Sequence, residues 1–319
     1  MEKPSNNIVI PKKIVIPVDG SKNALKSLDY LDVIYGSSHN IEVDLLYILP
    51  ALPLVLTDTK TMDKRTRSKL ALVQKKNMEI GEKIIAEAKT ALTDKGFDKE
   101  KVKTFYNKKE ISAPRDISDW ANRKQADAVL IAPRGRTDLG PLFMGGVSSR
   151  LVDYNPVCPI WIVGGGIHSN KALVCMDSSE NALRAADHAG FMLSCTGCRV
   201  TLFHTIRHLT RFMPREAIKE SPDIEDLWKN KASKEIAPYM EKAKKMLIEA
   251  GLDEDNIDIK LADGSRSAAD DIIKEAQENN YGTIVLGRRG ISAAKEFFMG
   301  RVTSKVLRYY TGIAVWIVQ

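Results

Sequence analysis

The chain of 319 residues repeats itself. Residues 143–149, FMGGVSS, match residues 298–304, FMGRVTS, and the tripeptide WIV occurs at residues 161–163 and again at residues 316–318. Both matches have an offset of 155 residues. A single domain built from the whole chain is therefore excluded, and two equivalent domains are predicted.

Each half predicts a domain of its own, over residues 1–163 and residues 171–319. At about 150 residues, each has the size of an ordinary globular domain. Residues 164–170 begin with three glycines and end in polar residues. This composition is typical of a linker, because it sustains neither a helix nor a strand.

Short apolar runs alternate with longer amphipathic segments in both halves. The runs predict strands at residues 14–18, 45–49, 102–106, 128–132 and 160–163, then 172–176, 200–204, 257–261, 283–286 and 314–318. The amphipathic segments predict helices that include residues 23–35, 67–92, 181–193 and 232–250. Consecutive strands joined by helices pair in parallel, so we expect an α/β fold in which helices cover a parallel sheet.

Composition excludes several classes of protein. With 44% hydrophobic and 28% charged residues, the chain can form packed cores and is not disordered. Its four cysteines are too few for a disulfide scaffold and fit a reducing compartment. No stretch approaches the about 20 apolar residues of a membrane helix, and residues 1–12 lack the apolar core of a signal peptide. A cytoplasmic location is therefore expected.

The chain is basic, with 48 Lys and Arg against 41 Asp and Glu and a net charge of +7. Such an excess invites a nucleic-acid or anionic-ligand function. Most of it lies in the first half, where residues 60–109 alternate basic and acidic side chains in a helical pattern. We interpret this region as a solvated helix face, and a nucleic-acid partner is not expected.

The loops that follow the predicted strands carry the candidate ligand site, because open parallel sheets bind ligands beyond the carboxyl ends of their strands. The first strand of each half is followed by Asp-Gly-Ser at 19–21 or Asp-Ser-Ser at 177–179. The simpler role of these residues is helix capping. The fourth strand of the second half precedes Gly-Arg-Arg-Gly at 287–290, and after a spacer of nine residues Gly300 opens a helix. Glycines beside a helix start predict a phosphate cradle, although Gly-x-x-Gly by itself is also an ordinary turn.

The paired loops, the two-glycine turn, the spacer and the apolar last strand resemble the universal stress protein family in its tandem form, over nearly the whole chain. The resemblance implies a five-stranded parallel sheet in each domain, in the order 3-2-1-4-5, with a crevice between strands one and four. Many members bind ATP there with a divalent cation, Mg or Mn, whereas others bind no nucleotide.

The resemblance also implies roles for single residues. Asp177 would lie beside adenine and ribose, and Thr205, which follows the predicted strand 200–204, would offer backbone groups to the adenine edge. The two-glycine turn would contact ribose and phosphates, and the next helix would supply phosphate-binding amides. The residues concerned are Gly287 and Gly290 in the turn, and Gly300, Arg301 and Val302 at the helix. The matching positions in the first half are Asp19, Ile48, Ala132, Gly135, Gly145, Gly146 and Val147.

Both copies depart from the family pattern, which places Ser or Thr after the last glycine. The second half has Arg301 there and the first half has Gly146, with Ala132 also replacing a glycine. Each lost hydroxyl removes a hydrogen bond worth about 0.5–1.5 kcal/mol. Arg301 either contacts phosphate itself or fills the phosphate space. We therefore expect a regulatory stress-response protein that binds ATP or a related adenine nucleotide chiefly in the second half. The alternative is a nucleotide-free scaffold with both pockets closed.

Other chemistry finds less support in the sequence. Cys195 and Cys198 form a CxxC pair that is either a redox pair, half a zinc site, or a turn with small buried thiols. His204 lies about 20 Å further along an extended chain and cannot share an ion with Cys198, so no metal site is predicted. No nucleophile or base stands in a known catalytic pattern, and we expect no enzyme beyond slow ATP hydrolysis.

Trp161 and Trp316 lie in the last strand of each half. An apolar strand at a sheet edge favours pairing with another strand, so the two halves are predicted to join through these strands. The family resemblance implies the same contact. The alternative is that each tryptophan packs under a helix of its own domain. Pairing of two chains into a homodimer stays open.

Overall fold

The computed structural model describes residues 11–36, 41–56, 62–133, 146–154, 157–221, 223–265, 267–290, 299–309 and 312–319. In these residues ten strands form one continuous sheet. The first half contributes β1 Lys12–Pro17, β2 Ile41–Leu49, β3 Val102–Lys108, β4 Ala128–Ile131 and β5 Ile160–Ile162. The second half contributes β6 Ala172–Cys175, β7 Val200–Ile206, β8 Ile257–Asp263, β9 Thr283–Gly287 and β10 Ala314–Val318.

The strand order confirms the predicted topology. The sheet runs β3-β2-β1-β4-β5-β10-β9-β6-β7-β8, so each half has the order 3-2-1-4-5. Within each half the strands pair in parallel. This order places β1 beside β4 and β6 beside β9 at the centre of each half, where the winding direction reverses.

The helices of the described residues cover both faces of the sheet. They are α1 Lys22–Ser27, α2 Asp29–Tyr35, α3 Lys64–Thr93, α4 Ala113–Arg123, α5 Gly146–Tyr154, α6 Glu180–Leu193, α7 Arg215–Lys219, α8 Ile224–Glu249, α9 Ala268–Glu278 and α10 Arg301–Tyr309. Short 3₁₀ turns lie at Leu54–Leu56, Leu209–Arg211 and Glu254–Asn256. None of these helices is both long and apolar enough to cross a membrane.

One predicted helix is divided in two. Residues 23–35 were expected to be continuous, but α1 ends and α2 begins at Leu28. The Ser27 hydroxyl donates to the carbonyl of Ala24 at 2.7 Å, and the Leu28 amide bonds to the carbonyl of Leu25 instead of Ala24. A side chain that competes for a helical carbonyl bends the helix, which explains the break.

Alternate residues of the central strands pack on opposite faces of the sheet. Ile14 and Ile16 belong to one core, and Val15 belongs to the other. Both cores include residues of both halves. Every residue of β4 and β6 is buried, as expected for parallel strands that are covered on both faces.

The halves meet along β5 and β10, which pair antiparallel with Trp161 opposite Trp316. The two indole rings stack with centroids 3.8 Å apart and planes 1° apart. His188 of α6 lies edge-on to both rings and accepts a hydrogen bond from the Trp161 indole at 3.1 Å. Tyr30 of α2 lies edge-on to Trp161, so each half also packs a helix on the tryptophans.

Candidate functional site

The loops after β6 and β9 converge in the second half. These neighbouring parallel strands end at the same edge of the sheet, with Asp177 after β6 and Gly290 after β9. A Cβ atom placed on Gly290 would overlap Oδ2 of Asp177. Only a residue without a side chain allows the Gly290 backbone to approach the carboxylate this closely. The two loops that the sequence singled out therefore meet.

Asp177 is oriented by the start of α6. Its Oδ1 accepts the amide of Ser179 at 3.1 Å and also the Ser179 hydroxyl. Ser179 in turn caps α6, because its Oγ accepts the amide of Ala182 at 3.2 Å. Helix capping, the simpler role considered for Asp177, thus belongs to Ser179. The aspartate is half-buried beside the crevice.

The first half repeats this device. Oδ1 of Asp19 accepts the amide of Ser21 at 3.0 Å, and the Ser21 hydroxyl accepts the amide of Ala24 at 3.2 Å as the cap of α1. Asp19 is more exposed than Asp177. The capping serine and the turn-forming aspartate are therefore the shared part of the two copies.

The two glycines of the turn after β9 differ in what surrounds them. A Cβ atom on Gly287 would lie 2.8 Å from the carbonyl oxygen of Asn181, at the start of α6. Gly287 therefore allows β9 and α6 to pack closely, whereas Gly290 faces Asp177. Thr303 of α10 donates its hydroxyl to the carbonyl of Gly287 at 3.0 Å, which fixes the end of the strand.

The start of α10 lies against the same turn. The Gly300 amide donates to the carbonyl of Arg288 at 2.8 Å, so in this structure that amide already has a protein partner. The amides of Arg301 and Val302 belong to the first turn of α10, where backbone donors lack helical acceptors and the helix dipole favours an anion. The Arg301 side chain is exposed and does not fill a buried space.

Arg288 turns away from the crevice. It is 3% exposed, its amide donates to the Val318 carbonyl at 2.6 Å, and Nη1 donates to Oε1 of Gln319 at 3.0 Å. These bonds anchor the glycine turn to β10. Sequence reasoning did not find this role, because nothing in the local pattern connects residue 288 with the last residues of the chain.

Thr205 lies inside β7, and the expectation that it follows the strand is wrong. Because β8 continues to Asp263, its ladder with β7 extends to Ile206. The Thr205 hydroxyl donates to Oδ2 of Asp271 at 2.9 Å. The Phe203 carbonyl accepts the amide of Met176 beyond the end of β6. Alternate residues of a strand direct their backbone N–H and C=O groups to the same side. The backbone groups of Thr205, two residues after Phe203, therefore point to the side of β7 on which β6 lies, beyond the end of β6.

His204 is a neighbour of the site that the sequence did not assign to it. Its Nδ1 lies 2.8 Å from the carbonyl oxygen of Met176, the residue directly before Asp177. This contact ties the end of β7 to the aspartate loop. Burial raises the pKa of Cys175, at the end of β6, and the neighbouring charge of Asp177 adds to the effect.

The matching site in the first half is described only in part. Ile48 lies in β2, two residues after Leu46, whose carbonyl accepts the Val18 amide at 2.9 Å. Gly146 and Val147 begin α5, and the next residue, Ser148, donates to the carbonyl of Ala132 at 3.2 Å. The predicted positions Gly135 and Gly145 lie outside the described residues.

Known proteins resemble both halves of the chain. The Universal stress protein family model matches residues 11–164 and again residues 168–318. Universal stress protein YxiE of Bacillus subtilis is 29% identical over 144 residues, which are 44% of this chain and 94% of that protein. Universal stress protein MJ0531 of Methanocaldococcus jannaschii is 25% identical over 152 residues, which are 48% of this chain and 81% of that protein.

A solved structure matches the chain over nearly its full length. The universal stress protein from Archaeoglobus fulgidus DSM 4304 aligns with a TM-score of 0.63 at 17% identity. The alignment covers 96% of this chain and 97% of that one. It shows that the two chains share the fold of the tandem arrangement.

Proposed function

Since the chain belongs to the universal stress protein family and carries two domains of that family in tandem, we propose that it is a regulatory stress-response protein that binds ATP or a related adenine nucleotide. The second half is the proposed site. The observation that carries the proposal is the close approach of Gly290 to Asp177. It brings a carboxylate and a bare backbone together at the edge of the sheet from which the start of α10 also projects.

Each part of the crevice suits one part of a nucleotide. The Asp177 carboxylate is a hydrogen-bond acceptor for ribose hydroxyls, and the backbone groups of Thr205 suit the adenine edge. The amides of Arg301 and Val302, at the start of α10, suit the phosphates. Gly290 allows the backbone to approach phosphate closely. Mg or Mn would accompany the nucleotide and neutralise phosphate charge.

The proposed role is binding, with slow hydrolysis at most. A hydrolytic site needs a group that activates water within hydrogen-bond reach of the phosphate. His204 is engaged through Nδ1 with the Met176 carbonyl, next to the end of β6. We therefore assign it a structural role in the aspartate loop.

Equilibrium binding of ATP to the full chain, with magnesium or manganese, tests the proposal. Saturable binding that is lost in Asp177→Ala and kept in the matched first-half variant Asp19→Ala is the expected result. Absence of saturable binding at millimolar nucleotide would remove the ligand from the proposal. Equal losses in the two variants would contradict the assignment to the second half.

One observation favours a second candidate, a nucleotide-free interaction scaffold. The Gly300 amide, which the family resemblance assigns to phosphate, is bonded to the Arg288 carbonyl. In a scaffold, Arg301 and Ala132 would replace the residues that admit a nucleotide. Arg301→Ser separates the candidates: a gain of ATP binding supports a closed pocket, and a loss supports a contact between Arg301 and phosphate.

We further propose the boundaries of the two domains as residues 1–163 and 171–319, with residues 164–170 as the linker. The pairing of β5 with β10 supports an arrangement in which the domains associate within one chain. Sedimentation of the full chain tests whether two chains associate further into a homodimer. A cytoplasmic location is proposed from composition alone.

A further inference from the structure

We propose that Cys195 and Cys198 form a thiol–disulfide exchange site that reacts with low-molecular-weight disulfides such as oxidised glutathione. The pair lies where α6 ends, between the helix and β7, remote from the loops of the proposed nucleotide crevice, which follow the opposite ends of the strands.

The two cysteines differ in exposure in the way such a site requires. Cys195 is exposed and Cys198 is 2% exposed. The exposed thiol can meet a small disulfide, and the buried thiol is kept for the second step. Cys158 and Cys175 are both buried in the core and have no exposed cysteine within three residues, so a small disulfide is not expected to reach them.

The two cysteines lie at one tight turn of the backbone. Residues 194–197 form a turn, and φ is positive at both Cys195 and Gly197, at 60° and 68°. The Cys198 amide donates to the Thr196 hydroxyl at 3.3 Å, which closes the turn on itself. Cys195 lies in this turn and Cys198 directly follows it, so the pair is separated by only two residues of tightly folded backbone. A disulfide between them would need a Cα–Cα separation of about 4.4–6.8 Å.

A buried lysine of the other half supplies positive charge at this turn. Lys12 of β1 is 7% exposed and donates from Nζ to the carbonyl of Ser194 at 2.7 Å, across 182 residues of sequence. Its charge also complements the carboxyl end of the α6 dipole. Burial lowers the pKa of Lys12 to about 8, and the charges of Cys195 and Cys198 act in the opposite direction.

The lysine also acts on the buried thiol. Burial raises the pKa of Cys198, while the Thr196 side chain and the Lys12 ammonium oppose that rise. A thiolate is the attacking species in disulfide exchange, so a nearby ammonium favours the step in which Cys198 attacks. We therefore assign Lys12 the role of a positioning residue that stabilises the Cys198 thiolate.

The exchange proceeds in two balanced steps. The Cys195 thiolate attacks one sulfur of the small disulfide, which releases one small thiol and leaves a mixed disulfide on Cys195. Cys198 loses its proton to water, and its thiolate attacks the Cys195 sulfur and expels the second small thiol. In sum the protein loses two electrons and two protons, and the small disulfide gains them as two thiols.

Intact-mass spectrometry of the full chain after incubation with oxidised glutathione tests the proposal. The expected product has lost two hydrogens, carries no glutathione, and returns to the starting mass with dithiothreitol. Cys198→Ser should stop at a stable glutathione adduct on Cys195, and Cys195→Ser should react much more slowly. A stable adduct on the unmodified chain, or no reaction, would overturn the proposal.

The lifetime of the mixed disulfide on Cys195 tests the role of Lys12, because the Cys198 thiolate ends that intermediate. Lys12→Gln should lengthen it about threefold or more, whereas Lys12→Arg, which keeps the charge, should change it less. Lys171→Gln is the matched control, because Lys171 also donates to a carbonyl, that of Asn279 at 2.6 Å, away from the cysteines. Equal lifetimes in the Gln and Arg variants would remove Lys12 from the mechanism.

Discussion

A buried hydrogen bond between the halves gives a quantitative test of how they are joined. The Tyr30 hydroxyl in α2 lies 2.7 Å from Oγ1 of Thr283 in β9, across 253 residues of sequence. Tyr30 is 1% exposed and Thr283 is 0% exposed. Removing one hydroxyl leaves the other buried without this partner, which costs about 1–3 kcal/mol. We expect Tyr30→Phe and Thr283→Val each to lower the free energy of unfolding by about that amount.

The double variant distinguishes this bond from separate packing effects. Replacing both hydroxyl residues by apolar residues of similar shape leaves neither hydroxyl without its partner, so the double variant should lose about 1 kcal/mol less than the sum of the single losses. Urea unfolding followed by tryptophan fluorescence measures all four proteins. Tyr309→Phe is the control, since Tyr309 is 51% exposed and its replacement should change the free energy by less than about 0.5 kcal/mol. Strictly additive losses would refute the reasoning.

Three further predictions concern the site and the junction. Gly290→Ala should weaken ATP binding about tenfold or more in calorimetry, because the added Cβ would displace Asp177. The control variant Gly164→Ala should bind ATP normally, since a Cβ at residue 164 meets no atom within 4 Å. Ser179→Ala should lower the free energy of unfolding by about 1 kcal/mol in urea, because α6 loses its cap; no change would contradict the capping role. Burial lowers the pKa of His188 from the ordinary histidine value of 6.5 to about 3. Between these two pH values, His188 is protonated in the unfolded chain and neutral in the folded chain. The free energy of unfolding should therefore fall by at most about 1.4 kcal/mol per pH unit on acidification, with a smaller fall in His188→Gln.

The parallel pairing and the shared edge of the two loops follow from local sequence, whereas the strand order was implied by the family resemblance. Alternation of apolar runs with amphipathic segments requires helical crossovers, and the carboxyl ends of neighbouring parallel strands share one edge of the sheet. This is why Asp177 and Gly290 were expected together and lie together. The end of β7 was misplaced because its length depends on β8, which pairs with it as far as Ile206.

The sequence by itself determined that the chain folds twice into the same parallel sheet, because burial periodicity and turn residues act over a few positions at a time. Only the tertiary structure decided that the Arg288 carbonyl accepts the Gly300 amide and that Lys12 donates to the carbonyl of Ser194, at the turn that holds Cys195. It also decided that Trp161 stacks on Trp316. The first two contacts join residues that no local pattern relates, and the stacking of the tryptophans adds geometry to a strand pairing that the repeat predicted. All three depend on how preformed elements pack and not on the propensity of any one segment.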